Sequence, residues 1–417
     1  MLCTVSITVL YCDMSRFMNP EGERYLWTWQ GGQIDFSYPY LGARALLAGV
    51  NPYVNGRPEF THQIFEPKVV NGVPYKQVYP PGSLTTLVPM AALYGDDWRA
   101  AARLWFRISL LSLAVLGWVA WRLVRRVTGA AVPWALALVF LFCLTLDPAA
   151  AFALERGQAE IFAAALCWSA VLLSCRGRFG EAIFLAAWAA SMKGYAILFA
   201  AGLGFIAFDR GAWRAAFVGG GAALVSFVLP CAAWLGDASR ATWARASTFE
   251  TYWFNHSYRH LAYRLLGPTQ ADLGKLVAVS IALAATILAF IQAVRAFRDG
   301  NDEARALWLT AFSVSALATV VGFSDESVTY NFVLLTPGLL VLGTTLERWA
   351  GPLSAHPALF RMLGVVVAVT WWLCFVHRLG GEGAFTGFPA TALGLVLVNV
   401  LVLMLAGVAL RRPVVQA

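Results

Sequence analysis

The stretch ATALGLVLVNVLVLMLAGVAL covers residues Ala390–Leu410 and contains no charged residue. Arg411 and Arg412 follow it directly. An α-helix rises about 1.5 Å per residue, so about 20 apolar residues span the roughly 30 Å hydrocarbon core of a bilayer. The stretch therefore predicts a transmembrane helix that ends at a pair of arginines.

Similar apolar runs recur along the chain and account for its composition. The 417 residues are 59% hydrophobic and 13% charged, whereas an ordinary soluble domain carries about 25% charged residues. The mean hydropathy is +0.65. These values predict an all-α integral membrane protein, a polytopic bundle of about 11–12 transmembrane helices. Besides the quoted stretch and an N-terminal fragment, the predicted spans are Leu104–Trp121, Ala131–Leu146, Ile161–Leu173, Ala182–Met192, Tyr195–Phe208, Ala215–Trp234, Leu276–Val294, Ala306–Gly322, Phe332–Leu346 and Met362–Val376.

The positive charge of the chain suits a membrane better than nucleic acid. The formal net charge is +8, but the arginines are scattered at the ends of apolar runs and form no basic tract, so no nucleic-acid partner is expected. The cysteines lack CxxC spacing, which argues against a metal site, and no metal or cofactor is predicted. Nucleotide-binding glycine loops and the GxSxG nucleophile motif are also missing from the sequence.

The arginines in the short links between spans predict the orientation, because cytoplasmic links carry the excess of Lys and Arg. One side of the bundle collects Arg122, Arg125, Arg126, Arg176, Arg178, Arg210, Arg214, Arg295, Arg298, Arg305, Arg348, Arg361, Arg411 and Arg412. The other side has Arg156, Lys193 and Arg378. The first side is therefore predicted to be cytoplasmic.

We expect a single membrane domain over residues 1–417. Two long connections, residues 13–103 and 236–275, become extracytoplasmic loops that carry short amphipathic helices. The run Ser83–Leu93 is too short to cross a bilayer and is placed at the outer surface. The apolar run Leu2–Cys12 is also short, and we interpret it as the outer end of a first transmembrane helix that begins upstream.

The first loop holds an aspartate close to a short helix. Tyr40–Ala48 is predicted to be helical, with Gly49 as its C-terminal stop. Asp35 lies just upstream, close to the membrane surface. From pattern alone, the simpler interpretation of Asp35 is a solvated turn residue. The later Tyr79-Pro80-Pro81 sequence is stiff and extended, and on pattern alone it is a rigid loop end.

Ionisable residues also stand at the predicted outer mouth of the bundle, between the third and fourth spans. Glu155, Arg156 and Glu160 are costly at such a boundary unless they pair or face a polar cavity. They are site candidates, and an ordinary interfacial Glu–Arg pair explains them equally well. Lys193 lies between two short spans, at the tip of a predicted helix pair, where irregular backbone requires a covering protein surface or a water-filled cavity.

The second loop contains a predicted helix in the segment Asn255–Pro268. His256, Arg259, His260 and Tyr263 share one face, and Tyr258, Leu261, Ala262, Leu265 and Leu266 share another. This pattern is typical of an amphipathic helix at a membrane surface. Its cationic face suits a lipid phosphate, because arginine forms charge-assisted bonds to phosphate oxygens. Simple attraction to anionic headgroups explains the same pattern.

Taken in order, these motifs resemble glycosyltransferase family 87. They are Asp35 before a Tyr-rich helix and Gly49-Val-Asn-Pro-Tyr53, then Tyr79-Pro80-Pro81, Gly157-Gln158, Lys193 at a helix-pair tip, an Asn-x-Ser helix ending in Arg264-Leu-Leu-Gly267, and the late Pro337. The family contains polyprenol-phosphate-mannose-dependent α-mannosyltransferases with the GT-C membrane fold. Two departures stand out: Tyr330-Asn331 occupies the place of a common His-His pair, and Lys193-Gly194 replaces the commoner Lys-Pro.

The resemblance implies an inverting transfer of a hexose, commonly mannose, from a polyprenyl-phosphate sugar to a glycolipid or glycan acceptor. It implies that Asp35 is the general base. Lys193, Arg259 and Arg264 are the expected ligands of the donor phosphate. Further candidate substrate-binding residues from these motifs are Tyr38, Arg44, Tyr79, Glu155, Arg156, Gln158, His256, His260, Tyr330 and Asn331.

Two other classes of function remain open from the sequence. A transporter or flippase of lipid-linked sugars usually shows internal repeats and ionisable residues near the bilayer midplane, and neither feature is found. A non-catalytic subunit of a cell-envelope assembly complex would not need Asp35. For the enzyme we expect a multi-pass location in a bacterial plasma membrane, among membrane lipids, with the active site on the extracytoplasmic face.

Overall fold

The computed structural model describes residues 34–53, 69–70, 73–74, 79–246, 257–324, 329–353 and 390–410. These residues are overwhelmingly helical, which confirms the all-α prediction. The helices are α1 (Ile34–Leu47), α2 (Pro81–Tyr94), α3 (Trp98–Thr128), α4 (Ala135–Leu146), α5 (Pro148–Arg156), α6 (Glu160–Ser174), α7 (Phe179–Met192), α8 (Ile197–Asp209), α9 (Trp213–Phe227), α10 (Leu235–Ala246), α11 (Tyr258–Leu266), α12 (Ala271–Asp299), α13 (Asp302–Phe323), α14 (Thr336–Leu353) and α15 (Ala390–Leu410).

Short elements interrupt or connect these helices. Turns of 3₁₀-helix cover Gly194–Ala196, Leu229–Trp234, Pro268–Gln270 and Thr329–Leu334. Two strands in the first loop, β1 (Val69–Val70) and β2 (Val73–Pro74), form a small antiparallel pair. Val70 lies opposite Val73 in this pair.

Several helices have the length and composition of membrane spans. Within the described ranges, three are long and apolar enough to cross a bilayer: Trp98–Thr128, Pro268–Asp299 and Asp302–Phe323. A fourth span forms if Trp213–Phe227 and Leu229–Ala241, which meet at a bend of 55°, are taken together. Shorter apolar helices occupy Ala135–Thr145, Glu160–Ser174, Phe179–Met192, Gly194–Asp209 and Leu393–Gly407. The protein is therefore a polytopic helical membrane protein. The predicted runs Leu2–Cys12 and Met362–Val376 lie outside the described residues.

The arginine-rich links and the candidate site residues lie at opposite ends of the bundle. At one end, the Arg126 guanidinium donates to the carbonyl oxygen of Cys175 over 3.1 Å, and Arg298 pairs with Asp209. At the other end, the indole N–H of Trp105 donates to the carbonyl of Gly157 over 3.1 Å. Helix α3 runs from the second end to the first, which separates the two groups by the length of a membrane span.

The start of α1 corrects the sequence prediction. The helix begins at Ile34 rather than Tyr40, so Asp35 lies in its first turn and not upstream of it. Pro39 explains the error, because a proline inside a helix removes the N–H that would bond to the carbonyl four residues earlier and usually marks a boundary. The run Ser83–Leu93 forms α2, which packs between α1 and α7.

Small residues allow some of the helices to pack very closely. An added Cβ at Gly219 of α9 would stand 2.1 Å from the carbonyl oxygen of Gly180 on α7. Contacts of this kind hold membrane helices together, since helices in lipid gain little from burying apolar surface and depend on close packing. The α7–α9 pair matters for the site because α7 ends immediately before Lys193.

The glycine run of α9 provides a test of this packing. Gly219→Ala should lower stability by about 1–3 kcal/mol, because the new methyl group meets backbone that cannot move aside. The measurement is the thermal unfolding midpoint of the purified protein in detergent. Gly221→Ala is the matched control, since its Cβ meets nothing within 4 Å, and it should unfold at or above the wild-type temperature. Equal midpoints for the two variants would contradict the packing described.

Candidate active site

The site is built around the carboxylate of Asp35, which is 7% exposed. Arg156 donates to it with two nitrogens: Nε lies 2.6 Å from Oδ2, and Nη2 lies 2.8 Å from Oδ1. Gln158 donates from Nε2 to Oδ2 over 2.6 Å. A paired, two-bond contact between guanidinium and carboxylate is among the strongest polar contacts available to a protein. The interpretation of Asp35 as a solvated turn residue is therefore wrong.

A glycine turn brings Arg156 and Gln158 to the same carboxylate. Arg156 ends α5, Gly157 adopts a φ of 70°, and α6 starts at Glu160. The left-handed conformation is inexpensive for glycine and reverses the chain within two residues. The Trp105 indole holds the Gly157 carbonyl in place, so the turn is anchored to α3.

Lys193 lies beside this cluster, within a set of polar and aromatic partners. Its ammonium is 2.9 Å from Oε1 of Glu160, 3.3 Å from Oε1 of Gln158 and 4.7 Å from the centre of the Tyr79 ring. Glu160 is fully buried, and a buried carboxylate is tolerated when it is paired with a cation. Glu160, an open candidate from the sequence, therefore pairs with Lys193 in this structure.

Helix α2 holds the end of α7, next to Lys193. The Ser83 hydroxyl donates to the carbonyl oxygen of Met192 over 2.6 Å, at the point where α7 ends. Gly82 permits this approach, since a Cβ there would stand 2.5 Å from the backbone carbon of Ser191. Thr85 similarly donates to the carbonyl of Phe227, at the bend between α9 and α10. These residues were not predicted from the sequence, although Gly-Ser and Thr-Thr inside an apolar run were a readable signal.

The Asn51-Pro52-Tyr53 motif connects the two loops beside the site. The Tyr53 hydroxyl donates to the backbone carbonyl of Tyr79 over 3.1 Å. The Asn51 amide donates to Asp237 of α10 over 2.8 Å. Tyr79 is thereby held with its ring against Lys193, and Gln158 also approaches its hydroxyl at 3.4 Å.

Two further predicted site residues, Tyr38 and Arg44, lie on α1, one near Asp35 and the other paired with Asp96. Burial raises the pKa of the Tyr38 phenol to about 12, and the nearby charge of Asp35 adds to the rise. The Tyr38 phenol is neutral at physiological pH and lies close enough to Asp35 to be affected by the charge of that carboxylate. Arg44 pairs instead with Asp96 at the turn between α2 and α3.

A polar residue of the late segment contacts the chain just after Lys193. Asn331 is buried and donates from its amide to the Tyr195 hydroxyl over 3.1 Å, two residues after Lys193.

The side chains of Glu155 and Tyr330 and all of His256 lie outside the described residues. Asp147 was not predicted from the sequence as a buried polar residue; it caps α5 through the backbone N–H of Ala149 and accepts a hydrogen bond from Thr336. An Asp before Pro148 at a helix start is a signal that the sequence does contain.

Helix α11 is docked on the bundle rather than lying free at its surface. Tyr258, His260, Leu261 and Ala262 are buried, whereas Leu265 and Leu266 are about half exposed. The burial of His260 was not predicted for a member of the cationic face, and the predicted contact of the apolar face with a membrane stays a prediction. The side chain of Tyr258 explains the docking, since its hydroxyl bonds to Asn399 of α15 and to the carbonyl of Ala318 in α13.

The arginines of α11 have partners of their own. Arg259 pairs with Asp272 at 2.9 Å, and Arg264 donates to Nε2 of His260 over 3.2 Å. Neither forms a hydrogen bond or ion pair with Asp35. Their predicted role at a donor phosphate stays a prediction. In the described part of the chain, His, Cys, Asp and Glu side chains do not gather in threes with metal-binding geometry.

Comparison with solved structures finds a distant likeness to ArnT from Cupriavidus metallidurans. Bound to undecaprenyl phosphate, that protein is 17% identical to this chain, with a TM-score of 0.44 over 98% of this chain and 77% of that one. In its apo state the identity is 15% and the TM-score 0.43, over 97% and 77%. No curated protein matches the sequence.

The family comparison is decisive. Residues 78–324 match Glycosyltransferase family 87, which is more than half of the chain. The match begins downstream of Asp35 and includes Arg156, Gln158 and Lys193. The resemblance predicted from the motifs is thereby confirmed, and this chain belongs to glycosyltransferase family 87.

Proposed function

We propose that this glycosyltransferase moves a hexose, most simply mannose, from a polyprenyl-phosphate donor to a glycolipid or glycan acceptor, with Asp35 as the general base. The observation that carries the proposal is the buried Asp35 carboxylate held by Arg156 and Gln158. It lies at the end of the bundle opposite the arginine-rich links. The positive-inside rule supports an extracytoplasmic position for that end, and the membrane we propose is a bacterial plasma membrane.

A lipid-linked donor suits the surroundings of the site. Nucleotide sugars are absent outside the cell, whereas a polyprenyl carrier brings a sugar there with its tail in the membrane. Helix α9, which bends beside α2, exposes Phe217, Leu224 and Val225. Such apolar faces are compatible with lipid tails, and the phosphate and sugar of the same donor would remain at the polar end of the bundle.

The proposed reaction is a single displacement with inversion. The carboxylate of Asp35 takes the proton of the acceptor hydroxyl while the hydroxyl oxygen attacks the anomeric carbon. The bond between that carbon and the phosphate oxygen breaks, and the polyprenyl phosphate leaves with the electron pair. The products are the glycosylated acceptor and the lipid phosphate, and the proton on Asp35 then passes to solvent.

The departing phosphate gains negative charge and needs fixed positive groups nearby. We assign this role to Arg259 and Arg264 of α11, which sit on a helix that is anchored to the bundle through Tyr258. Arginine suits the role because its guanidinium keeps its charge and bonds phosphate oxygens in pairs. Lys193 is a weaker candidate, because its ion pair with Glu160 is buried, whereas Asp272, the partner of Arg259, is exposed to solvent.

Replacing the base tests the proposal directly. Asp35→Asn should lower transfer by roughly 100-fold to 10,000-fold, because loss of a general base removes proton transfer from the reaction. The assay incubates the purified protein in vesicles with radiolabelled polyprenyl-phosphate mannose and a glycolipid acceptor, and measures the new product.

Asp209→Asn is the matched control, since Asp209 also accepts from an arginine, Arg298, but at the opposite end of the bundle. It should retain wild-type transfer. Turnover at the wild-type rate by Asp35→Asn would remove Asp35 from the role of base. If the wild-type protein moves the labelled lipid across the vesicle membrane without forming product, it is a transporter. If it neither forms product nor moves the lipid, an assembly subunit is the remaining interpretation.

The phosphate-binding role of α11 predicts a change in donor affinity. Arg264→Gln should raise the KM for the donor about 10-fold, equivalent to about 1.4 kcal/mol, with a smaller effect on the acceptor KM. Arg240→Gln is the control, because Arg240 is an exposed arginine on the neighbouring loop helix α10 that pairs with Asp237. If both variants change the donor KM equally, general attraction to anionic lipid explains α11 better than a phosphate site.

A further inference from the structure

Within the residues that the structure describes, Asp35 accepts three hydrogen bonds, which are shared unevenly between its two oxygens. Oδ2 accepts two of them, from Arg156 Nε and Gln158 Nε2, both at 2.6 Å. Oδ1 accepts one, from Arg156 Nη2 at 2.8 Å. Each carboxylate oxygen offers about two lone-pair directions. Oδ2 is therefore filled, and Oδ1 keeps one direction for the proton of an incoming hydroxyl.

The amide of Gln158 is held in one of its two orientations by Lys193. Its Oε1 accepts from the Lys193 ammonium at 3.3 Å, and its Nε2 donates to Asp35. A flipped amide would place an oxygen against the Asp35 carboxylate and an NH₂ group against an ammonium, two repulsive contacts at once. Gln158 is 2% exposed, so water has little access to compensate for them.

Lys193 is itself fixed from three directions. Glu160 pairs with its ammonium, the Tyr79 ring lies below it, and Ser83 caps the Met192 carbonyl just before it. Glu160 contacts Lys193, Lys193 contacts Gln158, and Gln158 contacts Asp35. The four side chains therefore form one continuous polar network.

From this geometry we infer that Gln158 is a positioning residue that occupies Oδ2 of Asp35 and presents Oδ1 to the acceptor hydroxyl, and that Lys193 acts through Gln158 by setting the polarity of its amide. The inference rests on the proposed function, in which Asp35 is the base. It changes the role of Lys193 from the phosphate ligand implied by the family resemblance to a residue that orients the base.

A double-mutant cycle on the full-length protein tests this assignment, using the mannose-transfer assay above. Gln158→Met and Lys193→Met keep the approximate length of each side chain and remove its polar end. Each should lower kcat by about 10-fold to 100-fold, because a displaced base transfers protons poorly. Each should change the donor KM by less than about 3-fold. The double variant should be no slower than Gln158→Met, since Lys193 acts through Gln158.

The contrary result is equally specific. If Lys193→Met raises the donor KM about 10-fold or more and its effect multiplies with that of Gln158→Met, Lys193 contacts the donor itself and the assignment is wrong. Gln158→Glu supplies a further check, because it keeps the contact with Lys193 but cannot donate to Asp35. It should be at least as impaired as Gln158→Met, and wild-type kcat in this variant would overturn the inference.

Asp35→Asn in the same experiment separates this inference from the proposed function. Loss of transfer in Asp35→Asn together with wild-type kcat in Gln158→Met would retain the base and overturn the positioning role. Turnover by Asp35→Asn would overturn the base. The cycle is also read on thermal unfolding midpoints, which need no turnover: non-additive changes support the contact between Lys193 and Gln158, and additive changes count against it.

Discussion

The carboxylate of Asp35 is withdrawn from water, and the site depends on Arg156 and Gln158 replacing the hydrogen bonds that water would supply. A buried carboxylate without such partners would be strongly unfavourable. The two-bond contact with Arg156 fixes the plane of the carboxylate, and Gln158 fills the remaining direction on one oxygen. The group that we propose as the base is thus held rigidly before any substrate arrives, which is the condition for efficient proton transfer.

Interrupted helices make this arrangement possible. The chain leaves helical geometry at Gly157, at Lys193 and after Phe227, and each interruption leaves backbone carbonyls that need hydrogen-bond donors. Trp105, Ser83 and Thr85 each donate to one such carbonyl, at Gly157, Met192 and Phe227 respectively. The segment that begins at Tyr79 therefore serves the site chiefly through α2, whose small and hydroxyl side chains join α7 to the bend after α9.

The sequence predicted the helical membrane class and the approximate positions of most described helices, because apolar runs mark segments that lie in lipid or in the core of the bundle. The quoted stretch is helical throughout and forms α15. It also singled out Asp35, Arg156, Gln158 and Lys193. It could not show that they meet, since the contacts join α1, the end of α5, the turn before α6 and the residue after α7, over separations of more than 30 positions. The start of α1 was misjudged because Pro39 mimics a boundary, and the burial of His260 depends on docking of α11, which periodicity alone does not reveal.

In the proposed reaction, Oδ1 of Asp35 receives the proton of the acceptor hydroxyl. An electron cryomicroscopy structure with a non-hydrolysable polyprenyl-phosphonate sugar and the acceptor bound together would test this. If Asp35 is the base, the acceptor hydroxyl will lie roughly 2.6–3.2 Å from Oδ1 of Asp35, with the anomeric carbon beyond it. A structure in which both substrates bind while this carboxylate contacts neither of them would show that Asp35 is not the base.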